Sequence, residues 1–88
     1  MLNKAPEKLS LEIQSWIKQW VVNNTDTKEP IDIYANYSTL GLYSMLLVTL
    51  FVDIEQQFDI AIDINCIYTH QDIASLSDYI ADCILNKN

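Results

Sequence analysis

The sequence predicts an all-α fold, a small bundle of three to four helices with a long loop between the first helix and the second. Apolar residues recur at steps of three and four near both ends of the chain, which is the period of an amphipathic helix. A central apolar run from Ser44 to Phe58 is too long for one strand. Of the 88 residues, 50% are hydrophobic and 19% are charged, so we expect one folded domain over residues 1–88.

The first helix is expected to begin at Pro6 and to end at Asn23-Asn24. Proline is favoured in the first turn of a helix, and an asparagine pair can end one. The tryptophans of this segment are expected in the core or at its edge. Its apolar residues share one helix face: Leu9, Ile13, Trp16, Ile17 and Trp20.

The segment from Asn24 to Thr39 is predicted to be a long loop. It is rich in Asn, Asp, Thr and Ser and contains Pro30. Gly41, the only glycine in the chain, closes this loop directly before the second helix. Scattered apolar residues are expected to pin the loop to the core: Ile31, Ile33 and Tyr37.

The second helix, from Ser44 to Phe58, carries apolar residues on two separate arcs. The smaller arc, Met45, Val48 and Val52, is expected to face outward, because exposed apolar patches on small proteins tend to mark contact sites. The alternative is that this arc covers the first helix or the long loop. The larger arc is wide enough to face a core and consists of Leu47, Leu50, Phe51, Ile54 and Phe58.

The C-terminal third is predicted to hold a connector, a short turn of helix and a last helix. Ile60, Ile62 and Ile64 alternate with polar residues, which predicts an extended connector with one side against the core. The short turn is placed over residues 66–69. Thr69 followed by Asp72 resembles a capping box that begins the last helix. The helical period then continues through Ile73, Leu76, Ile80 and Ile84.

Charge and hydropathy exclude several classes of protein. A net charge of −7, with five basic residues against 12 acidic ones, disfavours nucleic acid and anionic membranes and favours basic protein partners. A small helical transcription regulator is disfavoured for the same reason. Polar residues interrupt the uncharged stretch 33–52, so no membrane insertion is expected. The N-terminus lacks the apolar core of a signal peptide, which predicts a reducing, cytoplasmic location.

The reactive side chains are too few for a metal centre or a catalytic set. Cys66 and Cys83 lack the spacing of a zinc site and are expected to be free thiols, with Cys83 packing at the edge of the last helix. His70, the single histidine, is interpreted as a surface residue. Paired carboxylates, a Ser/His/Asp set and a glycine-rich loop are missing from the sequence, so the protein is not expected to be an enzyme.

A recognisable motif surrounds the start of the second helix. It resembles that of the acyl carrier proteins, which usually reads Gly-x-Asp-Ser-Leu with Leu-Glu-x-x-Phe about one helix later. The resemblance covers nearly the whole chain. It implies that Ser44 carries 4′-phosphopantetheine from coenzyme A. The matching residues are Leu40-Gly41-Leu42-Tyr43-Ser44-Met45, then Val48, Leu50, Ile54-Glu55 and Phe58-Asp59-Ile60-Ala61-Ile62.

The chain departs from this family pattern on the helix surface beside the serine. Tyr43 stands where Asp is usual and Met45 where Leu is usual, and Leu46, Leu47 and Thr49 occupy positions that are usually polar or acidic. Asp53 and Glu55 are the acidic residues that this helix keeps. The residues expected to dock partner enzymes are Tyr43, Met45, Val48, Thr49, Val52 and Glu55.

The resemblance implies a free-standing, monomeric carrier of acyl thioesters in a specialised polyketide, hybrid peptide or lipid pathway. A phosphopantetheinyl transferase, using coenzyme A and Mg²⁺, would modify Ser44. The modified protein would then bind an acyltransferase or ligase, a ketosynthase or other assembly-line enzymes. The position of Ser44 at a helix start also favours a phosphate ester, although a serine at such a position can simply be an N-cap. The alternatives are a peptidyl or aminoacyl carrier, or a carrier-like fold that is never modified and acts as an interaction module.

Overall fold

The computed structural model describes residues 4–87 and confirms the all-α prediction. Its helices are α1 (Lys4–Asn24), α2 (Ser44–Phe58), α3 (Cys66–Thr69) and α4 (Ile73–Leu85), with a 3₁₀ helix at Tyr37–Leu40 inside the first connection. Helix α1 begins two residues before the expected Pro6, and α2 and α3 have the predicted bounds. Across residues 4–87 no strand forms, and no helix is long and apolar enough to cross a membrane.

The core is formed mainly where α1, α2 and α4 meet. Helices α1 and α4 pack along each other, and the Ser10 hydroxyl of α1 donates a hydrogen bond to Asp78 of α4 at 2.5 Å. Trp16 packs edge-on against Phe58 with 5.6 Å between ring centroids, so the predicted core-edge position is confirmed. The most deeply buried apolar side chains are Ile13, Ile17, Val21, Leu50, Ile54, Ile73, Leu76 and Ile80.

The long loop is fastened to the start of α4. Tyr37 is buried, its hydroxyl donates a hydrogen bond to the carbonyl oxygen of His70, and this burial raises the tyrosine's pKa. The backbone N–H of Ala74 donates to the Ile33 carbonyl at 3.0 Å. Ile31 and Ile33 pack against the core, as the sequence predicted. The loop is therefore held at several points.

Three interpretations from the sequence are wrong in this region. Asp72, and not Thr69, caps α4, because its Oδ1 accepts from the Ser75 N–H at 2.8 Å while Thr69 ends α3. Ile64 is 50% exposed instead of lying on the core, because the chain turns into α3 directly after Asp63. His70 is half-buried with its ring 4.9 Å from that of Tyr79, so it is not a surface residue.

Candidate functional site

The junction between the long loop and α2 presents Ser44 to solvent. Leu40 and Leu42 are buried on either side of Gly41, which takes a left-handed φ of 80° and so turns the chain sharply. Tyr43 follows in an extended conformation, and its carbonyl accepts the first helical hydrogen bond, from the N–H of Leu47 at 2.9 Å. Ser44 is then the first residue of α2 and is exposed.

The Ser44 hydroxyl lies beside the unpaired end of the helix. It makes no hydrogen bond with any other residue from 4 to 87. Tyr43 occupies the N-cap position and offers no side-chain cap to the N–H groups of residues 44–46. The interpretation of Ser44 as a simple N-cap is therefore wrong. Free N–H groups and the positive end of the helix dipole suit a phosphate ester on the Ser44 oxygen.

The smaller apolar arc of α2 faces outward beside Ser44. Met45 is 78% exposed and Val48 and Val52 are each 43% exposed, so this arc does not cover α1 or the loop. Tyr43 is 67% exposed at its end. We call Tyr43, Met45, Val48 and Val52 the apolar face. Thr49 lies next to it, exposed, with its hydroxyl donating back to the Met45 carbonyl at 2.9 Å.

Both carboxylates of α2 are used inside the protein. The indole N–H of Trp20 donates to Asp53 Oδ2 at 2.7 Å, which ties one edge of α2 to α1. The backbone N–H of Ile62 donates to Glu55 Oε2 at 2.7 Å, which ties the connector to the C-terminal turn of the helix. Neither contact was predicted from the sequence. The exposed side chains of α2 near Ser44 are apolar or carry a hydroxyl, and the two acids of α2, nearer its C-terminal end, have structural partners.

We expect Asp53→Ala to destabilise the fold by about 1–3 kcal/mol, because it leaves the buried indole N–H of Trp20 without an acceptor. Asp53→Asn keeps an acceptor oxygen at the same place and should cost less. Urea unfolding followed by circular dichroism measures both variants. Equal losses for Ala and Asn would show that the hydrogen bond to Trp20 is not the cause.

A polar groove opens on the other side of the junction. It is an open groove of about 720 Å³ between the end of α1, the first residues of the loop, the 3₁₀ helix, Tyr43 and Leu46. Gly41 also lines it beside Thr25, where an added β-carbon would be in ordinary contact with the threonine β-carbon, at 3.5 Å. We call this the loop groove. Side chains that line it include Asn23, Asn24, Thr25, Asp26, Ser38 and Tyr43.

A second group of reactive side chains lies where α3 meets α4. Cys66 and Cys83 are both free thiols, as predicted. Burial, with smaller contributions from Asp63 and Cys83, raises the pKa of Cys66 to about 11. Among the described residues, acidic, thiol and histidine side chains do not gather into a group that could hold a metal ion.

We expect the free energy of unfolding to fall as pH rises from about 9 to about 11. The unfolded chain loses the Cys66 proton first, so it binds fewer protons than the folded chain and alkaline pH favours unfolding. For this thiol alone the loss is at most about 2–3 kcal/mol. Urea titrations at several pH values test this, and Cys66→Ala should have a shallower pH dependence than the wild type. An unchanged slope would contradict the assignment.

Comparison with protein-family models identifies the family of the segment that contains this junction. A family model described as a phosphopantetheine attachment site matches residues 15–80. The chain belongs to this carrier family. Comparison with curated proteins found no significant match. The match includes the C-terminal part of α1 from residue 15, the loop groove, all of α2 and α3, and α4 as far as Ile80.

Membership in the carrier family confirms the resemblance and the cofactor. The attachment-site domain is where 4′-phosphopantetheine is bound covalently, so the chain is a phosphopantetheine-carrying protein. Carrier domains of this family are generally non-catalytic and work with modifying and assembly enzymes. Within the matched segment, the apolar face and the loop groove both border Ser44.

Proposed function

We propose that this carrier protein holds acyl intermediates on an arm attached to Ser44 Oγ and delivers them to separate enzymes of a specialised biosynthetic pathway. The observation that carries the proposal is the exposed, unbonded Ser44 hydroxyl at the first turn of α2, inside the matched segment. When bound, the arm supplies a terminal thiol that holds cargo as a thioester. The chain acts as one domain and as a monomer.

The residues of the chain have separate roles in this proposal. The N-terminus of α2 holds the phosphate of the arm through its free N–H groups. The apolar face, with Thr49 and Glu55 at its borders, docks the transferase that attaches the arm and the acyltransferase, ligase or ketosynthase that use the cargo. The net charge of −7 steers basic surfaces of these enzymes toward the protein over longer distances.

Intact-mass spectrometry tests the proposal directly. The purified protein is incubated with coenzyme A, Mg²⁺ and a broad-specificity phosphopantetheinyl transferase, and a mass increase equal to the arm is expected. Tyr43 in place of Asp and the exposed apolar face also suit a carrier-like fold that only binds other proteins. A protein that shows no mass increase while the transferase loads a second carrier in the same tube would support that alternative.

The cargo is a second question within the same proposal. We propose an acyl group, and a peptidyl or aminoacyl carrier is the alternative. Loading the arm with acyl or aminoacyl coenzyme A derivatives and presenting each product to enzymes of both pathway types would distinguish them.

We expect Tyr43→Asp to keep the fold, because the tyrosine is 67% exposed and supplies no side-chain cap to α2. It should weaken binding of the native partner enzyme, since a tyrosine ring at the edge of a docking face can be buried while its hydroxyl stays solvated. It should also speed loading by a generic transferase, which regains the charge that it usually meets. Loading and acylation rates on this variant provide the test, with Tyr34→Asp, at an exposed tyrosine in the loop, as the control. If both the loading rate and the acylation rate are unchanged, Tyr43 does not contribute to partner recognition.

A further inference from the structure

The loop groove has the size and position to receive a small molecule attached at Ser44. Its volume of about 720 Å³ lies within the range of about 300–1,000 Å³ that is common for small-molecule sites. Tyr43, the residue directly before Ser44, forms part of its wall. Fully extended, the pantetheine chain is about 16 Å long, comparable to a peptide of roughly four to five residues. The groove is therefore within reach of an arm on the serine oxygen.

The walls of the groove are held in place by internal hydrogen bonds. The Thr25 hydroxyl donates to the Val21 carbonyl at 2.8 Å, and the Asn24 side-chain N–H donates to the Trp20 carbonyl at 2.8 Å. On the facing side the Thr27 hydroxyl donates to the Leu40 carbonyl at 2.8 Å. These bonds join the end of α1, the loop and the 3₁₀ helix. The groove is thus formed before any ligand enters it.

The remaining polar groups of the groove match an uncharged chain of amides. Asp26 and the side-chain oxygen of Asn24 accept no hydrogen bond from residues 4–87, and the Ser38 and Tyr43 hydroxyls donate none to them. Asp26 is the one charged side chain of the lining, so a phosphate or another anion would be repelled. The pantetheine chain carries two amides and a hydroxyl, which supply both the donors and the acceptors that these groups lack.

We propose that the loop groove binds the amide-bearing part of the arm, so that the arm folds back over Tyr43 and lies between the end of α1 and the 3₁₀ helix. This inference rests on the proposed attachment to Ser44. Asp26 and the Asn24 oxygen accept from the amide N–H groups, and Ser38 donates to an amide oxygen. Bound there, the arm covers one side of Tyr43, and the rest of the apolar face, Met45, Val48 and Val52, stays free for enzymes.

Nuclear magnetic resonance of the unmodified and the loaded protein tests the inference. Loading should shift the amide resonances of residues 23–27 and 38–41, and the arm's methyl groups should show nuclear Overhauser contacts with the Thr25 methyl. In the double variant Asp26→Ala/Ser38→Ala, the equilibrium constant between the bound and the free arm should fall about threefold to tenfold for each hydrogen bond lost. The fall would be seen as smaller chemical shift changes. Both side chains are exposed and without hydrogen bonds to residues 4–87, so the variant should keep the fold. Glu12→Ala/Ser15→Ala, an acid and a serine at exposed positions of α1 away from the groove, is the matched control.

The outcomes separate this inference from the proposed function. A mass increase with shifts confined to residues 43–46, or centred on α4, would overturn the inference that the arm binds in the loop groove. It would not contradict the proposed carrier function. Groove shifts that the double variant does not reduce would also overturn it. A protein that gains no mass would overturn both proposals. Shifts and contacts in the groove that the double variant reduces, and the control does not, would support it.

Discussion

Ser44→Ala is expected to abolish arm loading, so that the intact mass of the variant stays that of the unmodified chain after incubation with coenzyme A and a transferase. The physical reason is that Ser44 alone combines a hydroxyl free of internal hydrogen bonds with a place at the first turn of α2. The fold should be unaffected, because the side chain is exposed and caps nothing. We expect a complete loss and not a partial one, since no other atom at this position can form the ester.

Matched controls come from the nearest other hydroxyl residues. Ser38→Ala and Thr39→Ala remove exposed hydroxyls of the 3₁₀ helix, and Thr49→Ala removes one that already donates to the Met45 carbonyl. All three should reach the same final mass as the wild type, and they are compared by final extent because Thr49 borders the surface that docks the transferase. If Ser44→Ala still gains the mass of the arm, or if one of the controls loses it, the attachment site has been assigned to the wrong residue.

Val48→Asp is expected to weaken binding of the cognate acylating enzyme by about tenfold to a hundredfold. Val48 lies in the middle of the apolar face and is 43% exposed, so a carboxylate there would have to be desolvated against an apolar partner surface. Calorimetric titration at two ionic strengths measures the effect. For the wild type, the dissociation constant should change little with salt, because the apolar face carries no charged side chain and its contacts are not screened by ions.

The control for Val48→Asp adds the same charge to another side of α2. Gln57→Asp places a carboxylate on an exposed position that is turned away from the apolar face, next to Trp16 and Asp53. It should leave the affinity nearly unchanged. An affinity that survives Val48→Asp, or one that collapses at high salt in the wild type, would show that charge and not apolar contact controls docking.

Helix α2 could be predicted from the sequence because local rules and tertiary packing agree there. Gly41 ends the loop, the apolar run fixes the length of the helix, and its period separates the core arc from the outward arc of Met45, Val48 and Val52. The family motif then indicated Ser44. Each of these signals lies within a short stretch of chain.

The start of α4 could not be predicted, because a long-range contact decides it. A capping pattern fits both Thr69 and Asp72, since each is followed by residues that can continue a helix. The Tyr37 hydroxyl bonds the carbonyl of His70, and Asn36 pairs with Asp72 in a β-bridge, which holds this stretch extended until Asp72. The partners come from a loop more than thirty residues earlier. The loop groove was missed for the same reason, since its walls come from both ends of that loop.

Two hydrogen bonds hold the C-terminal half of α2 in place, one from the Trp20 indole and one from the Ile62 N–H. They affect how successive enzymes bind this protein. A helix held in this way has little conformational entropy to lose on association, and the β-branched Val48 and Val52 have a strongly restricted χ1 within it. Met45, with its long unbranched side chain, is the adaptable part. Enzymes that share this carrier should therefore have the same shape where they touch residues 48 and 52, and should differ in shape around residue 45.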